Sequence, residues 1–207
     1  MFGKGLGNGP TLADLDPGPD CPTVVRIIVE IPKHSTNKYE YDIQLDLIKL
    51  DRPLYSPVHY PGDYGFIPGT AGGDGDALDI LVLTEEPTFP GCMIEVRAVG
   101  MLDLVDRKNV DSKILAVPDS NPRFDQIRTV TDVPPHVRKE IEHFFTIYKE
   151  LEKKEVHIRG WRPRKDALAA IVSGRQSYLT NRRRKGIFSA ENRSNSATGP
   201  HRLGTHR

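Results

Sequence analysis

Asp74, Asp76 and Asp79 stand within six positions of one another in "GGDGDALDILVL", directly before an apolar run. A turn needs at most one such residue. Three carboxylates at the mouth of a buried strand repel one another, and a hard cation such as Mg²⁺ offsets that repulsion. The stretch begins as an EF-hand calcium loop would, with Asp-x-Asp and Glu85 at the twelfth position counted from Asp74. The sixth position, where that loop needs Gly for its sharp turn, is Asp79 instead. A solvated acidic turn is the plain reading of an isolated Asp-Gly-Asp. Asp79, three residues on and beside the strand, favours convergence on a cation.

Other stretches carry the groups that such a site needs. "DLVDRKNVDSKILAV" places Asp106 and Asp111 around a loop, with Lys113 two residues later. "IVEIPKHSTNKYEYDI" offers Glu30, Lys38 and Glu40; "LDRPLYSPVHYPGDYGFIPGT" offers Arg52, Tyr60 and Tyr64; "HFFTIYKELE" offers Tyr148 and Lys149. Carboxylates hold metals, Lys and Arg hold anions, and Tyr hydroxyls donate hydrogen bonds. Together they suit a multiply charged phosphate ester or anhydride bound through several divalent ions. Taken singly, Tyr148 reads as helix core, Lys113 and Lys149 as solvated lysines, and Glu30 as an edge-strand charge. No Ser-His or Cys-His nucleophile arrangement is suggested. His34, His59, His136, His143 and His157 show no zinc spacing such as His-x3-His.

These residues need a scaffold, and the pattern supplies strands first and helices last. "VVRIIVEI" (24–31), "KYEYDI", "LDLIKL", "DILVL", "MIEVRAVGMLDLV" and "KILAV" are β-branched or alternating runs separated by Pro, Gly and Asp. With no helices between them, an antiparallel sheet closed into a barrel is expected rather than a parallel βαβ sheet. From Pro134 the period changes, with Ile141, Phe144, Phe145, Tyr148 and Leu151 at helical spacing. A second helix is expected over about 165–179, with Leu168, Ile171 and Val172 inward. The predicted class is α+β: a small closed antiparallel β-barrel, OB-like, with two C-terminal helices packed on it.

The chain has 207 residues, long enough for one domain with a real core. Hydrophobic residues make up 37% and charged residues 28%, as in globular proteins. No apolar run approaches the roughly 20 residues of a membrane helix. The N-terminus lacks the apolar core of a signal peptide. Two distant cysteines, Cys21 and Cys92, fit a reducing compartment, so a cytoplasmic location is expected. Residues 182–207 hold seven Lys/Arg and one Glu, so with a net charge of +1 overall the remainder carries −5. Residues 1–22 read as a flexible segment, 23–180 as the folded domain, and 181–207 as a basic, disordered tail.

Taken together, these segments resemble the soluble inorganic pyrophosphatases of family I, the Mg²⁺-dependent barrel enzymes. The Asp-Gly-Asp-x-x-Asp pattern of that family stands here as Asp74, Asp76 and Asp79. Around it stand "EIP" at Glu30, "KYE" at Lys38 to Glu40, "DR" at Asp51 and Arg52, and "YPGDYGFIPGT". Asp106, Asp111, Lys113, Tyr148 and Lys149 complete the set, and the resemblance spans about residues 23–175. It implies hydrolysis of pyrophosphate to two orthophosphates by direct attack of a metal-activated water. It implies Asp74, Asp79 and Asp111 as ligands of the tighter metal, with Asp79 shared with a second. Asp106 and Asp111 would hold metals arriving with substrate, with Glu40 and Glu30 as further acidic support. Asp76 would take a proton from the attacking water, and Tyr60 would be a supporting hydroxyl nearby. Lys38, Arg52, Tyr64, Lys113, Tyr148 and Lys149 would contact phosphate. Several Mg²⁺ ions per site are expected, with Mn²⁺ or Zn²⁺ as substitutes.

The sequence departs from the family in places. His143 matches a subunit-contact position, but the second histidine of that contact, four residues on, is Ile147. A homohexamer is the expectation, with that contact in question. Within the 106–111 loop, acidic residues common in bacterial members are replaced by Arg107 and Val110. Two rivals follow from other classes. One is a nucleic-acid-binding OB barrel using the basic tail, against which the acidic loops argue; the other is a scaffold that has lost a ligand, although no such loss is found.

Overall fold

The computed structural model describes residues 10–106 and 109–196, with side chains described as far as Arg184 in the last helix. In chain order the strands are β1 (Val24–Ile31), β2 (Asn37–Asp42), β3 (Leu47–Pro53), β4 (Asp63–Ile67) and β5 (Leu78–Val82). They continue with β6 (Met93–Asp106), β7 (Asn109–Val110) and β8 (Lys113–Pro118). Helix α1 (Pro135–Ile147), strand β9 (Val156–Pro163) and helix α2 (Arg164–Ser196) complete the chain. β2 and β3 form a hairpin sheet of their own, and the other seven strands form one sheet.

That sheet is mixed. β1 pairs antiparallel with β4 on one side and β6 on the other. β4 pairs antiparallel with β5, and β6 antiparallel with β8. β5 and β8, however, run parallel, which corrects the all-antiparallel expectation. Parallel neighbours need a long crossover. Here the crossover is the long strand β6 with its flanking loops, so the absence of an intervening helix did not exclude a parallel pair.

Alternation along the strands divides the core in two. Val25, Ile27 and Val29 of β1, Ile80 and Val82 of β5, and Ile114 and Ala116 of β8 pack with Ala167 and Ile171 of α2. The opposite faces present Tyr64, Leu81, Leu102, Leu104, Leu115 and Val117 to α1, whose Ile141, Phe144 and Phe145 are buried. α1 opens with Pro135 at its first position, where a missing N–H costs nothing. The close β1–β4 approach is possible because residue 65 is Gly. A β-carbon there would lie 1.9 Å from the Ile28 carbonyl oxygen.

Several expectations shift. Leu151, placed on the α1 stripe, lies past the helix in a 3₁₀ turn and is 61% exposed. Ile171 is buried, but Val172 points outward. β4, β7 and β9 were not anticipated. β9 carries His, Arg and Gly at its exposed and half-buried positions, which dilutes the alternation a strand needs to be seen. α2 runs to Ser196, well into the stretch expected to be disordered. That stretch has no Pro before Pro200 to stop a helix. Residues 10–22 are also tied down: Tyr178 donates to Asp14 at 2.5 Å, and Arg175 pairs with Asp16 at 2.6 Å. Residues 1–9 and 197–207, expected to be flexible or disordered, lie outside the described residues.

Candidate active site

The parallel pair builds the centre of the site. Ile80 pairs with Ile114, so the preceding residues Asp79 and Lys113 stand side by side at the start of β5 and β8. Both belong to the face turned toward α1, with Leu81 and Leu115 further along it. The Lys113 ammonium is buried and donates to carboxylates of both Asp79 and Asp111. Burial alone would pull the Lys113 pKa down, but the two flanking carboxylates outweigh it and hold it above its ordinary value.

Three further cations are each paired with carboxylates. Lys149, just past α1, donates to Asp106 Oδ2 at 2.6 Å. Arg52 at the end of β3 pairs with Asp51 and, at 2.9 and 2.6 Å, with Glu152. Lys38 on β2 pairs with Glu40 and lies 3.3 Å from Asp51. Beneath them Tyr60, Tyr64 and Tyr148 are buried among Phe144 and Phe145, with ring centroids 4.8–6.3 Å apart. Burial pushes all three phenols above their ordinary pKa, and the charge of Asp79 adds to the shift in each.

The turn before β5 is held by its own backbone. The Gly72 N–H donates to the Asp76 carbonyl at 2.7 Å, and Gly75 at φ +95° supplies the left-handed step. Asp74 Oδ1 accepts the Asp76 N–H at 3.1 Å, so Asp74 serves the turn as an Asx cap. Asp76 is exposed, and its carboxyl is raised by partial burial and by repulsion from Asp74, Asp79 and Glu40. Glu30 accepts the Tyr41 N–H at 2.7 Å. Its pKa is nonetheless pushed up to about 7, chiefly by burial and further by Asp79 and Glu40.

The donor chemistry suits hard divalent ions. Asp74, Asp76, Asp79, Asp106, Asp111, Glu30 and Glu40 offer only oxygen. Burial, with repulsion added, raises Glu30 and Asp76, and Asp106 Oδ1 is buried without a hydrogen-bond partner. Among the described residues, no three His, Cys, Asp or Glu side chains converge on one ion-sized point as they stand. The positive charge between Asp79 and Asp111 comes from Lys113.

The structure thus joins Asp79, Asp111 and Lys113 directly, and Asp106 with Lys149. Asp74, Asp79 and Glu40 act on Asp76 electrostatically rather than by contact. Arg107 lies outside the described residues. Glu152, which anchors Arg52 and also takes Lys154 at 2.7 Å, was missed. Nothing in "KELEKK" separates that Glu from its neighbours, because only the 3₁₀ turn aims it inward.

Glu30 supplies a pH signature. Between its unfolded pKa of 4.5 and its folded value near 7, the folded state binds the extra proton, so Glu30 lowers stability as pH rises through that window. In chelator, wild type is expected to lose about 2.5 kcal/mol relative to Glu30→Gln between pH 5 and 8. Urea midpoints at both pH values test this, and parallel pH curves for the two proteins would contradict it.

Comparison with known proteins agrees with the geometry. Residues 27–179 match the family model described as inorganic pyrophosphatase. The inorganic pyrophosphatase of Methanosarcina mazei is 48% identical over 157 residues, which is 76% of this chain and 93% of the relative. That of Thermus thermophilus is 48% identical over 163 residues, 77% of this chain and 93% of the relative. The crystal structure of inorganic pyrophosphatase from Thermus thermophilus superposes with a TM-score of 0.80 at 46% identity, covering 82% of this chain and 99% of that one. No helix among the described residues is long and apolar enough to cross a membrane. The match over residues 27–179 and the identity to these relatives show that this chain belongs to the family I inorganic pyrophosphatases, enzymes that hydrolyse pyrophosphate.

Proposed function

We propose that hydrolysis here is a direct displacement by water, with Asp76 as base and a row of cations on the departing phosphate. The observation that carries this reading is the charge layout: an exposed Asp76 within electrostatic reach of Asp79, Lys113 bound to Asp79, and Lys149, Arg52 and Lys38 each paired with a further carboxylate. Asp74, Asp79, Asp106 and Asp111, with Glu30 and Glu40 in support, would hold Mg²⁺, with Mn²⁺ or Zn²⁺ as substitutes. When bound, such ions neutralise phosphate oxygens and acidify a water. The Asp76 carboxylate accepts the proton of the attacking water, and its raised pKa brings it closer to neutrality, where a base is most effective. The water oxygen bonds to one phosphorus while that phosphorus parts from the bridging oxygen. The electron pair stays on that oxygen, which leaves with the second phosphate.

Lys113, Lys149, Arg52 and Lys38 stabilise the charge on that leaving group, and Tyr64 and Tyr148 donate hydrogen bonds to it. Tyr60 packs against Tyr64 and Phe144, which supports its reading as a positioning hydroxyl beside the water. No side chain needs to carry the phosphoryl group. Acid-quenched single turnovers are expected to leave no phosphate on the protein, whereas a captured phosphoprotein would overturn direct attack.

The circuit of pairings β1–β4–β5–β8–β6–β1 supports the closed-barrel reading of the fold. His143 is exposed on α1, which suits the homohexamer expected from the family, although Ile147 replaces the partner histidine. The free, half-buried Cys21 and Cys92 are compatible with a reducing, cytoplasmic setting. We retain 23–180 as the pyrophosphatase domain, with the N-terminal segment and the basic end of α2 appended to it.

A further inference from the structure

Two of the chain's seven histidines meet on a surface the mechanism does not use. His34, in the turn after β1, and His59, just before Tyr60, have ring centroids 5.1 Å apart and planes at 77°. Both are exposed. The two loops are fixed to each other by backbone bonds: His34 N–H donates to the Tyr60 carbonyl at 2.9 Å, and Tyr60 N–H to the Ser35 carbonyl at 3.1 Å. The neighbouring Lys33 N–H donates to the buried Asp63 at 2.7 Å. His34 itself has φ +68°, a left-handed conformation uncommon for any residue but Gly, although Asn, Asp and His enter it more readily than others. An unfavourable backbone is thus held in place, and it keeps this imidazole beside the other.

The separation matches a metal pair. With an ion-to-nitrogen distance of about 2.0–2.1 Å and a tetrahedral angle, two liganding imidazoles have their centres about 5 Å apart. The Cβ–Cγ axis runs close to the ring centre. Turning either ring about that bond aims a nitrogen at the shared point without changing the separation, and this torsion is soft in histidine. We propose that His34 and His59 form a site for one borderline transition ion, zinc, nickel or copper, whose coordination is completed by water. Imidazole suits these metals, whereas Mg²⁺ prefers oxygen, so excess Mg²⁺ fills the carboxylate site and leaves the histidine pair to them. An ion there pins the 32–36 and 54–60 loops together beside the backbone of Tyr60. The pair is invisible to motif spacing because the two residues come from separate loops.

The test uses the full chain in excess Mg²⁺ with Cu²⁺ added in small steps, following the imidazole NMR signals. His34 and His59 are expected to broaden together at the first additions. His136 and His157, whose only described ionic partners are Glu140 at 3.4 Å and Glu155 at 3.6 Å, broaden later and serve as controls. His34→Asn keeps a residue suited to positive φ and removes one ligand. His59 should then need at least roughly tenfold more Cu²⁺, because joint capture by two groups is lost. His59→Gln on its exposed loop gives the reciprocal loss at His34. Retained pyrophosphate hydrolysis reports that each variant is folded. Broadening of His34 and His59 no earlier than the controls overturns the proposal, as does an unchanged His59 response in His34→Asn.

Discussion

Asp76→Asn is expected to keep the fold and metal binding while lowering kcat by about 10²–10⁴-fold, the usual contribution of a positioned base. Asn is nearly isosteric, and the turn is held by the Gly72–Asp76 backbone bond and the Asp74 cap, neither of which uses the Asp76 side chain. Removing its charge also relieves repulsion from Asp74, Asp79 and Glu40, so metal-free stability should not fall. The loss corresponds to about 3–5 kcal/mol of transition-state stabilisation. It should appear in kcat rather than KM, since Asp76 is assigned to the water and not to the phosphates. Steady-state phosphate release and Mg²⁺ titration of both proteins check this. Near-full turnover in the variant would remove Asp76 as the base.

Lys113→Met is expected to damage stability and catalysis separately. Lys113 is 5% exposed and supplies the positive charge between Asp79 and Asp111. Without it two carboxylates face each other, and breaking a buried pair is costly. Both carboxylates are about 30% exposed. Solvent therefore screens part of the cost, and a loss of about 3 kcal/mol in chelator is expected, the lower end for such pairs. A divalent ion taken up by the same two aspartates stabilises the folded state, so Mg²⁺ should raise Tm more in the variant than in wild type. Turnover should stay about 10²–10³-fold down even at saturating Mg²⁺, because a group stabilising the leaving phosphate is gone. If Mg²⁺ restored turnover along with Tm, Lys113 would be a structural residue only.

The acidic cluster, six of the nine described strands and the apolar stripe of α1 were legible because each is a local pattern. Asp74, Asp76 and Asp79 announce themselves by spacing, and Ile141, Phe144 and Phe145 by period. What holds the site together was not local. The contact between Asp79 and Lys113 depends on β5 and β8 lying parallel, and nothing in either strand reports its neighbour. Arg52 meets Glu152 across a hundred positions of chain. A single Glu in a charged 3₁₀ turn carries no periodic signal, and the same holds for the meeting of His34 and His59.

The segments flanking the domain read as loose for a related reason. Residues 10–22 are poor in apolar groups, and composition alone marks them as loose. Asp14 and Asp16 tie them down through Tyr178 and Arg175, polar contacts that a hydrophobicity argument does not count. α2 continues past Leu179 through the run Arg182, Arg183, Arg184 and Lys185, residue types that favour a helix without needing a core.

Phosphate release from pyrophosphate in Mg²⁺, then with the metal chelated, then with Mg²⁺ restored, tests the central claim most directly. The charge layout predicts rapid release, its loss on chelation and its return with the metal, since Asp79 and Asp111 must exchange the Lys113 ammonium for an ion. Release at the same rate in chelator would contradict the account, because the carboxylate cradle would then be catalysing hydrolysis without the cation it is read as holding.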